Sequence, residues 1–394
     1  MAGSDEEVAL GVEATRPAKK RKSDKDPEDE DDEPEPAAAT KPKRKTDALA
    51  SPEAFIAATR EGDAYIDALV GSDPAGAAAT AFAIISKARW RNVERMQTQL
   101  LSTGLVADRL IWVVGLGEAG EYSKAGALGR IVEGGGLCAS RNAAMDEARN
   151  MGCRFVVEVS DDLQWCTVIR EGASLASMTA ADGKAGWSKP KDMAAQNVAG
   201  NDKLACSLPA AAKLLRAVMG GAGKGGARLG GGYPNTNYGL AAGCAPLAKD
   251  CFIVGDFVVV DVERTTLRFD ERIALKEDYD YTAQHLYEHG SVARSNRILA
   301  QFEHYKNAGG AVDARTDDLE QRSIAILRHK WPGAFPQHTT RGENEVRFRW
   351  DSRGSIVGGK HEIKQPPPPA GVDKAVYKPK GGQRTVTSFF AKRT

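Results

Sequence analysis

An α/β domain, with a mostly parallel sheet flanked by helices and a disordered tail at each end, is the fold class this sequence predicts. Three observations predict it. Short apolar runs alternate with stretches of good helix formers through the middle of the chain, the strand–helix–strand rhythm of parallel sheets. Residues 1–50 are Pro, Ala and charge, and cannot bury enough apolar surface to fold. Residues 355–394 are polar and basic, and contain Gln365-Pro366-Pro367-Pro368-Pro369, an extended linker.

Along the chain, residues 81–86 read as a first strand, 93–101 as a helix and 110–114 as a second strand. Residues 143–150 are helix formers, and 155–159 form a continuous apolar strand interrupted only by Glu158. Residues 167–232 are rich in Ala, Gly and Lys, with eight glycines among 220–232, which predicts an insertion or mobile loop. A strand at 256–262 and helices at 278–289 and around 319–330 follow. The folded domain therefore spans 51–354, between tails at 1–50 and 355–394.

The 394 residues leave room for a sizeable core. Charge is unevenly spread: residues 1–50 hold 10 Lys/Arg against 14 Asp/Glu, 355–394 hold 8 against 2, and 51–354 hold 36 against 37. The body carries no basic footprint for nucleic acid, so any such footprint lies in the C-terminal tail. The six cysteines form no C-x-x-C pair, so neither structural zinc nor a disulfide framework is signalled, and buried reduced thiols are expected. No apolar run reaches the roughly 18 residues of a membrane span, and no signal peptide is legible. These features predict a soluble intracellular protein with no membrane partner.

The tails carry addresses. Lys19-Lys20-Arg21-Lys22 and Lys41-Pro42-Lys43-Arg44-Lys45 flank an acidic run, and such clusters serve nuclear import or nucleic-acid contact. Near the end, Gln383, Val386, Phe389 and Phe390 stand at the spacing Q-x-x-h-x-x-a-a. One tight helical turn brings Val386, Phe389 and Phe390 onto one side as an apolar plug, with Gln383 hydrogen-bonding at its edge. This segment resembles the PCNA-interacting peptide, which implies the sliding clamp as a partner, DNA nearby and a nuclear location. Tethering raises the local concentration of DNA without a basic catalytic surface.

Three segments of the body carry chemistry: Gly136 to Asn142 running into a helix, the apolar strand ending in Ser160-Asp161-Asp162, and Lys276 to Tyr281 opening another helix. In parallel sheets, ligands meet the carboxyl ends of strands. Adjacent carboxylates there repel unless a cation lies between them, and Mg²⁺ or Mn²⁺ suits oxygen ligands. Such an ion would neutralise a diphosphate leaving group. Arg141, just before a helix, is placed to meet phosphate or a nucleotide base.

The order of these segments resembles that of the GT-A glycosyltransferases. The closest likeness is the TET-associated glycosyltransferase family, related to the base J glucosyltransferases, over roughly residues 81 to 335. It includes SRNAAMDEA at 140–148, VSDDL at 159–163 and LKEDYDYT at 275–282, then FEHYKN, GGAVDART and KWPG. The resemblance implies a GT-A fold, a nucleotide sugar such as a UDP-sugar as donor, and a divalent cation. It implies that Asp162, with Asp161, holds the metal and donor, that His304 completes the metal site, and that Asp278, helped by Glu277, is the base. Ser86, Arg89, Arg141 and Asn142 fall on the donor side. The implied acceptor is a hydroxymethylated pyrimidine in DNA, glycosylated with inversion. The metal motif reads Ser-Asp-Asp rather than Asp-x-Asp, which leaves open the aspartate that binds directly.

Other readings compete. Gly115 to Gly120 matches the dinucleotide fingerprint, but lacks an apolar helix face after it and an acidic strand end about 20 residues on. His285-Leu286-Tyr287-Glu288-His289 matches the zinc-protease pattern H-x-x-E-H. A non-catalytic clamp adaptor and a transferase acting on chromatin protein are the remaining alternatives.

Overall fold

A computed structural model describes residues 51–170, 175–179, 202–222, 225–303, 316–337 and 344–350. The first part of the chain forms α1 (Pro52–Val70), α2 (Pro74–Ala78), β1 (Thr80–Ile85), α3 (Val93–Leu101), β2 (Leu110–Val114), α4 (Ala119–Lys124) and β3 (Arg130–Glu133). Next come α5 (Leu137–Asn150), β4 (Phe155–Ser160), β5 (Leu163–Ile169), α6 (Leu175–Met178), β6 (Lys203–Cys206) and α7 (Leu208–Gly221). The last are β7 (Leu229–Tyr233), α8 (Tyr238–Ala242), β8 (Leu247–Ala248), β9 (Phe257–Asp261), α9 (Glu277–His289), β10 (Ala293–Phe302) and α10 (Asp317–Lys330).

Successive side chains of a strand point to opposite faces, and here both faces are apolar. Phe82 and Ile84 of β1 enter one core with Trp112 and Val157, while Ala81 and Ala83 enter another with Ile111 and Val156. Helices must therefore cover the sheet on both sides. α1, α3 and α7 supply Ile66, Met96 and Leu215 to the first core; α5 and α9 supply Met145 and Leu286 to the second. A third cluster seats α10 through Ile324, Leu327 and Trp331.

The strand order is β3-β2-β1-β4-β9-β7-β10-β5-β6, with β8 beside β10. The parallel sheet predicted from the sequence is present in β3-β2-β1-β4 and in the β7–β10 pair. Elsewhere pairing is antiparallel: β9 with β4 and β7, β5 with β10 and β6, and β8 with β10. The sheet is therefore mixed around a parallel group.

The stretch expected to be an insertion or mobile loop is corrected in its described part, because β6, α7 and β7 belong to the sheet and its first core. Ser207 caps α7, and its hydroxyl accepts from Ala210 N, with a proline in the first turn. Gly230-Gly231-Gly232 is a buried central strand. A Cβ on Gly230 would lie 2.7 Å from Met219 Sδ, one on Gly231 2.6 Å from Ile253 Cγ2, and one on Gly232 2.8 Å from the Ile298 carbonyl oxygen. Close approach, not backbone freedom, selects glycine here. The rest of that stretch, at 171–174, 180–201 and 223–224, lies outside the described residues.

All six cysteines are buried free thiols. No helix among the described residues is long and apolar enough to cross a membrane. Gly231→Val is expected to lower stability by ~1–3 kcal/mol through overpacking against Ile253. Denaturant unfolding checks this, with the exposed Gly120→Ala, where a Cβ meets open space, as the contrast.

Candidate active site

A cleft of about 560 Å³ opens at the carboxyl ends of β1 and β4. The loop after β1 brings Ser86, Lys87 and Arg89 to it, and the turn after β4 brings Asp161 and Asp162. The start of α5 contributes Arg141, and the segment opening α9 contributes Glu277 and Asp278. The three sequence segments thus converge.

The β4 turn is pinned by backbone bonds. Asp161 N donates to the Ile85 carbonyl at 3.3 Å, and Glu303 N donates to the Asp162 carbonyl at 3.1 Å. Arg95 adds bonds to the carbonyls of Asp161 and Leu163. Both oxygens of the Asp161 carboxylate are engaged: Oδ1 by Arg89 Nη1 at 2.8 Å and Oδ2 by Ser86 Oγ at 2.5 Å. Burial raises the Asp161 pKa even so, against the lowering effect of Ser86 and Arg89. Tyr122 steadies the same loop, its hydroxyl 2.5 Å from Ser86 Oγ and accepting from Arg89 N at 3.1 Å. Asp162 is 4 % exposed and lines the cleft beside it.

Across the cleft the acids face one guanidinium. Arg141 Nη1 donates to Glu158 Oε2 at 3.1 Å, and Nη2 lies 3.3 Å from Glu277 Oε1. Burial disfavours its charge, but Glu277, Glu158 and Asp256 outweigh burial and hold it protonated. Glu158 lies fully buried in β4, and burial pushes its carboxyl up to about 7 despite Arg141. One cation shared among several acids does not keep them all ionised. Asp278 accepts from Gly255 N at 3.2 Å and from Tyr279 N at 2.9 Å. Burial, then the charges of Glu277 and Asp256, push it up to about 7.

α9 begins without a side-chain cap, after Lys276 in the left-handed conformation at φ 69°. That strain turns the chain so that Glu277 and Asp278 face the cleft, and the Lys276–Glu320 ion pair at 3.0 Å fastens it to α10. The acids also lie at the positive end of the α9 dipole.

One expected residue falls elsewhere. Asn142 does not line the cleft: its Nδ2 donates to the Phe269 carbonyl at 3.0 Å and its Oδ1 accepts from Phe269 N at 2.9 Å. One residue along a helix rotates a side chain by about 100°, so Arg141 and Asn142 point differently. Arg141 lines the cleft, but its guanidinium is spent on Glu158 and Glu277 rather than turned outward to phosphate. His304, the import clusters and the clamp peptide lie outside the described residues.

The competing motifs take other roles. Glu118 Oε2 accepts from Gly115 N at 3.1 Å and from Ala88 N, after β1, at 2.9 Å, so an internal carboxylate occupies an amide that a dinucleotide loop offers to phosphate. The acidic strand end thought missing is present as Glu133 of β3, where it accepts from Ala119 N at 3.3 Å. His285 is fully buried beside His289, whose Nδ1 lies 2.8 Å from Arg228 Nη1. Burial and that guanidinium pull His289 down to about 4, an environment set against a zinc cation.

Among the described residues, no group of three His, Cys, Asp or Glu is placed to hold a metal ion. Mg²⁺ and Mn²⁺ need fewer protein ligands, one or two carboxylates with phosphate oxygens and water completing the shell. Asp162, with Asp161 behind it, fits that donor set. The sequence reading missed the roles of Glu158 and Asp256. An acid inside an apolar strand was the available signal for Glu158; Asp256, read as the first residue of the strand at 256–262, gave none.

Comparison with protein-family models and with curated proteins finds no match to this chain.

Two stability outcomes follow from Glu158 and Arg141. Because Glu158 binds its proton more tightly when folded, its contribution is present below the ordinary value of 4.5 and is lost as pH rises through about 7. Glu158→Gln is expected to remove on the order of 3 kcal/mol of that decline, measured by urea unfolding across pH 4–8. Arg141→Met, which strands Glu158, is expected to cost ~3–5 kcal/mol, most of it recovered in Arg141→Met/Glu158→Leu.

Proposed function

We propose that this chain is a metal-dependent, inverting hexosyltransferase of GT-A type. Its donor is a nucleotide sugar, a UDP-sugar in the simplest case, and its acceptor a hydroxymethylated pyrimidine in DNA. The observation that carries the reading is that Ser86, Arg89, Asp161, Asp162, Glu277 and Asp278 all line one cleft at the carboxyl ends of parallel strands. Nucleotides bind parallel sheets at such ends. The basic clusters around Lys19 and Lys43, and the peptide from Gln383 to Phe390, supply nuclear import and recruitment by the sliding clamp in this reading.

The roles follow from the chemistry of each group. Ser86 and Arg89, held by Asp161 and Tyr122, shape the wall for the donor's nucleoside. Asp161 is committed to that wall, so Asp162 is the carboxylate assigned to the cation. When bound, the cation offsets charge on the departing diphosphate. Asp278 takes the proton from the acceptor hydroxyl, whose oxygen bonds to the anomeric carbon as the bond to the diphosphate breaks. A carboxyl pushed up to about 7 is matched to that task near neutral pH, and burial, with the charges of Glu277 and Asp256, maintains the shift. One displacement from the far side of the sugar inverts the anomeric centre.

Incubation with Mn²⁺, sugar nucleotides and hydroxymethylcytosine- or hydroxymethyluracil-containing DNA, followed by nucleoside mass analysis, tests this. A hexose-sized mass gain, lost in Asp162→Ala and Asp278→Ala, is expected. Since Asp278 acts unprotonated, kcat/KM should rise with pH through an apparent pKa near 7. Donor hydrolysis that needs Asp162 but leaves every DNA unmodified would move the acceptor to protein. Neither activity nor donor binding would leave a clamp-bound adaptor.

A further inference from the structure

A second hollow, of about 300 Å³, lies against the cleft. Asp256 lines both. Gly255, next to Asp256, packs closely on the cleft side: a Cβ there would stand 2.7 Å from Arg141 Nη2 and 3.2 Å from Asp278 Cβ. The charge of Asp256 acts on both Arg141 and Asp278, which line the cleft.

The walls of the hollow are suited to one flat polar ring. Half-buried Phe302 contributes aromatic surface over a floor that includes the buried Tyr233 and Phe257, and Asn235, Thr236 and Gln301 contribute amide and hydroxyl groups. Asn235 Oδ1 accepts from Asn237 N at 2.8 Å, which fixes the plane of its amide. Ligand sites run from roughly 300 to 1,000 Å³, so this volume suits a single ring system rather than a duplex or a sugar chain. Aromatic walls with a few amides are how proteins hold a base taken out of its stack.

We propose that this hollow is the acceptor subsite, that it takes one pyrimidine base extruded from a nucleic-acid strand, and that Asp256 orients the base's hydroxymethyl group toward Asp278. This rests on the transferase reading above. It adds the place of the acceptor and the requirement that the base leave its stack. Transfer then forms the oxygen–anomeric carbon bond beside Asp256, with the proton passing to Asp278 and the nucleoside diphosphate leaving on the cleft side.

The test uses the full chain, Mn²⁺, UDP-glucose and a fluorescent single-stranded oligonucleotide carrying one 5-hydroxymethylcytosine. Asn235→Ala/Gln301→Ala is expected to raise the oligonucleotide KM about tenfold or more, with the donor KM within about twofold of wild type and the melting temperature retained. An unchanged oligonucleotide KM, or equal rises in both KM values, would overturn the subsite. Oligonucleotide anisotropy without donor separates the two claims. If wild type makes no product yet binds the oligonucleotide, and the double variant binds it about tenfold more weakly, the subsite stands while the transferase reading fails. Binding that is absent in wild type, unchanged by the variant, or displaced equally well by an oligonucleotide with no modified base or by a serine peptide overturns the subsite.

Discussion

The guanidinium of Arg141 sits where α5, β4 and α9 meet, joined to Glu158 on one side and Glu277 on the other. The arrangement of the cleft depends on it. Without this cation, the acidic start of α9 would face a buried carboxylate in β4 across low-dielectric space, and neither would tolerate the other. With it, Glu277 and Asp278 are drawn to the sheet at the place where β4 turns into Asp161 and Asp162. Phe269, with Arg141 5.3 Å from its ring centroid, and the bonds of Asn142 to the backbone of Phe269 complete the fastening.

The two acidic groups of the cleft differ because their neighbours differ. At the β4 turn, Asp161 meets Arg89 and Ser86 on both oxygens and serves as an anchor. At α9 burial acts first and the acids outnumber the nearby cation, so Asp278 retains a proton to higher pH. Asp280, two residues further along, pairs with Lys330 at 2.8 Å and accepts from Trp331 Nε1 at 2.7 Å. These contacts bring α10 against α9 and leave Glu277 and Asp278 as the acids of this helix that face the cleft. Charge balance, residue by residue, separates the groups that hold the fold from those placed to meet a ligand.

Much of this was legible in the sequence, for physical reasons. The apolar runs at β1, β2 and β4 have no other place to go, and the helix at Val93–Leu101 carries an apolar face toward the first core. The acids after β4 and at α9 stood out because adjacent carboxylates need an explanation. Less legible was β7, whose glycines read as a loop until Met219, Ile253 and Ile298 crowd them. The start of β10 was hidden differently: Arg294, Ser295, Asn296 and Arg297 are buried polar residues. Arg297 and Asn296 meet carbonyls of Ala241, Cys244 and Ala245, contacts that no local pattern announces. Asn142 was misassigned for the same reason, since its partners lie more than a hundred residues away.

The central claim is that Asp162 and a donor diphosphate together hold a divalent cation in this cleft. Electron paramagnetic resonance titration of Mn²⁺, with and without UDP, tests it most directly. The account predicts weak Mn²⁺ binding alone and much tighter binding with UDP, lost in Asp162→Asn and kept in Asp278→Asn. Mn²⁺ binding that ignores UDP, or that survives Asp162→Asn unchanged, would contradict it.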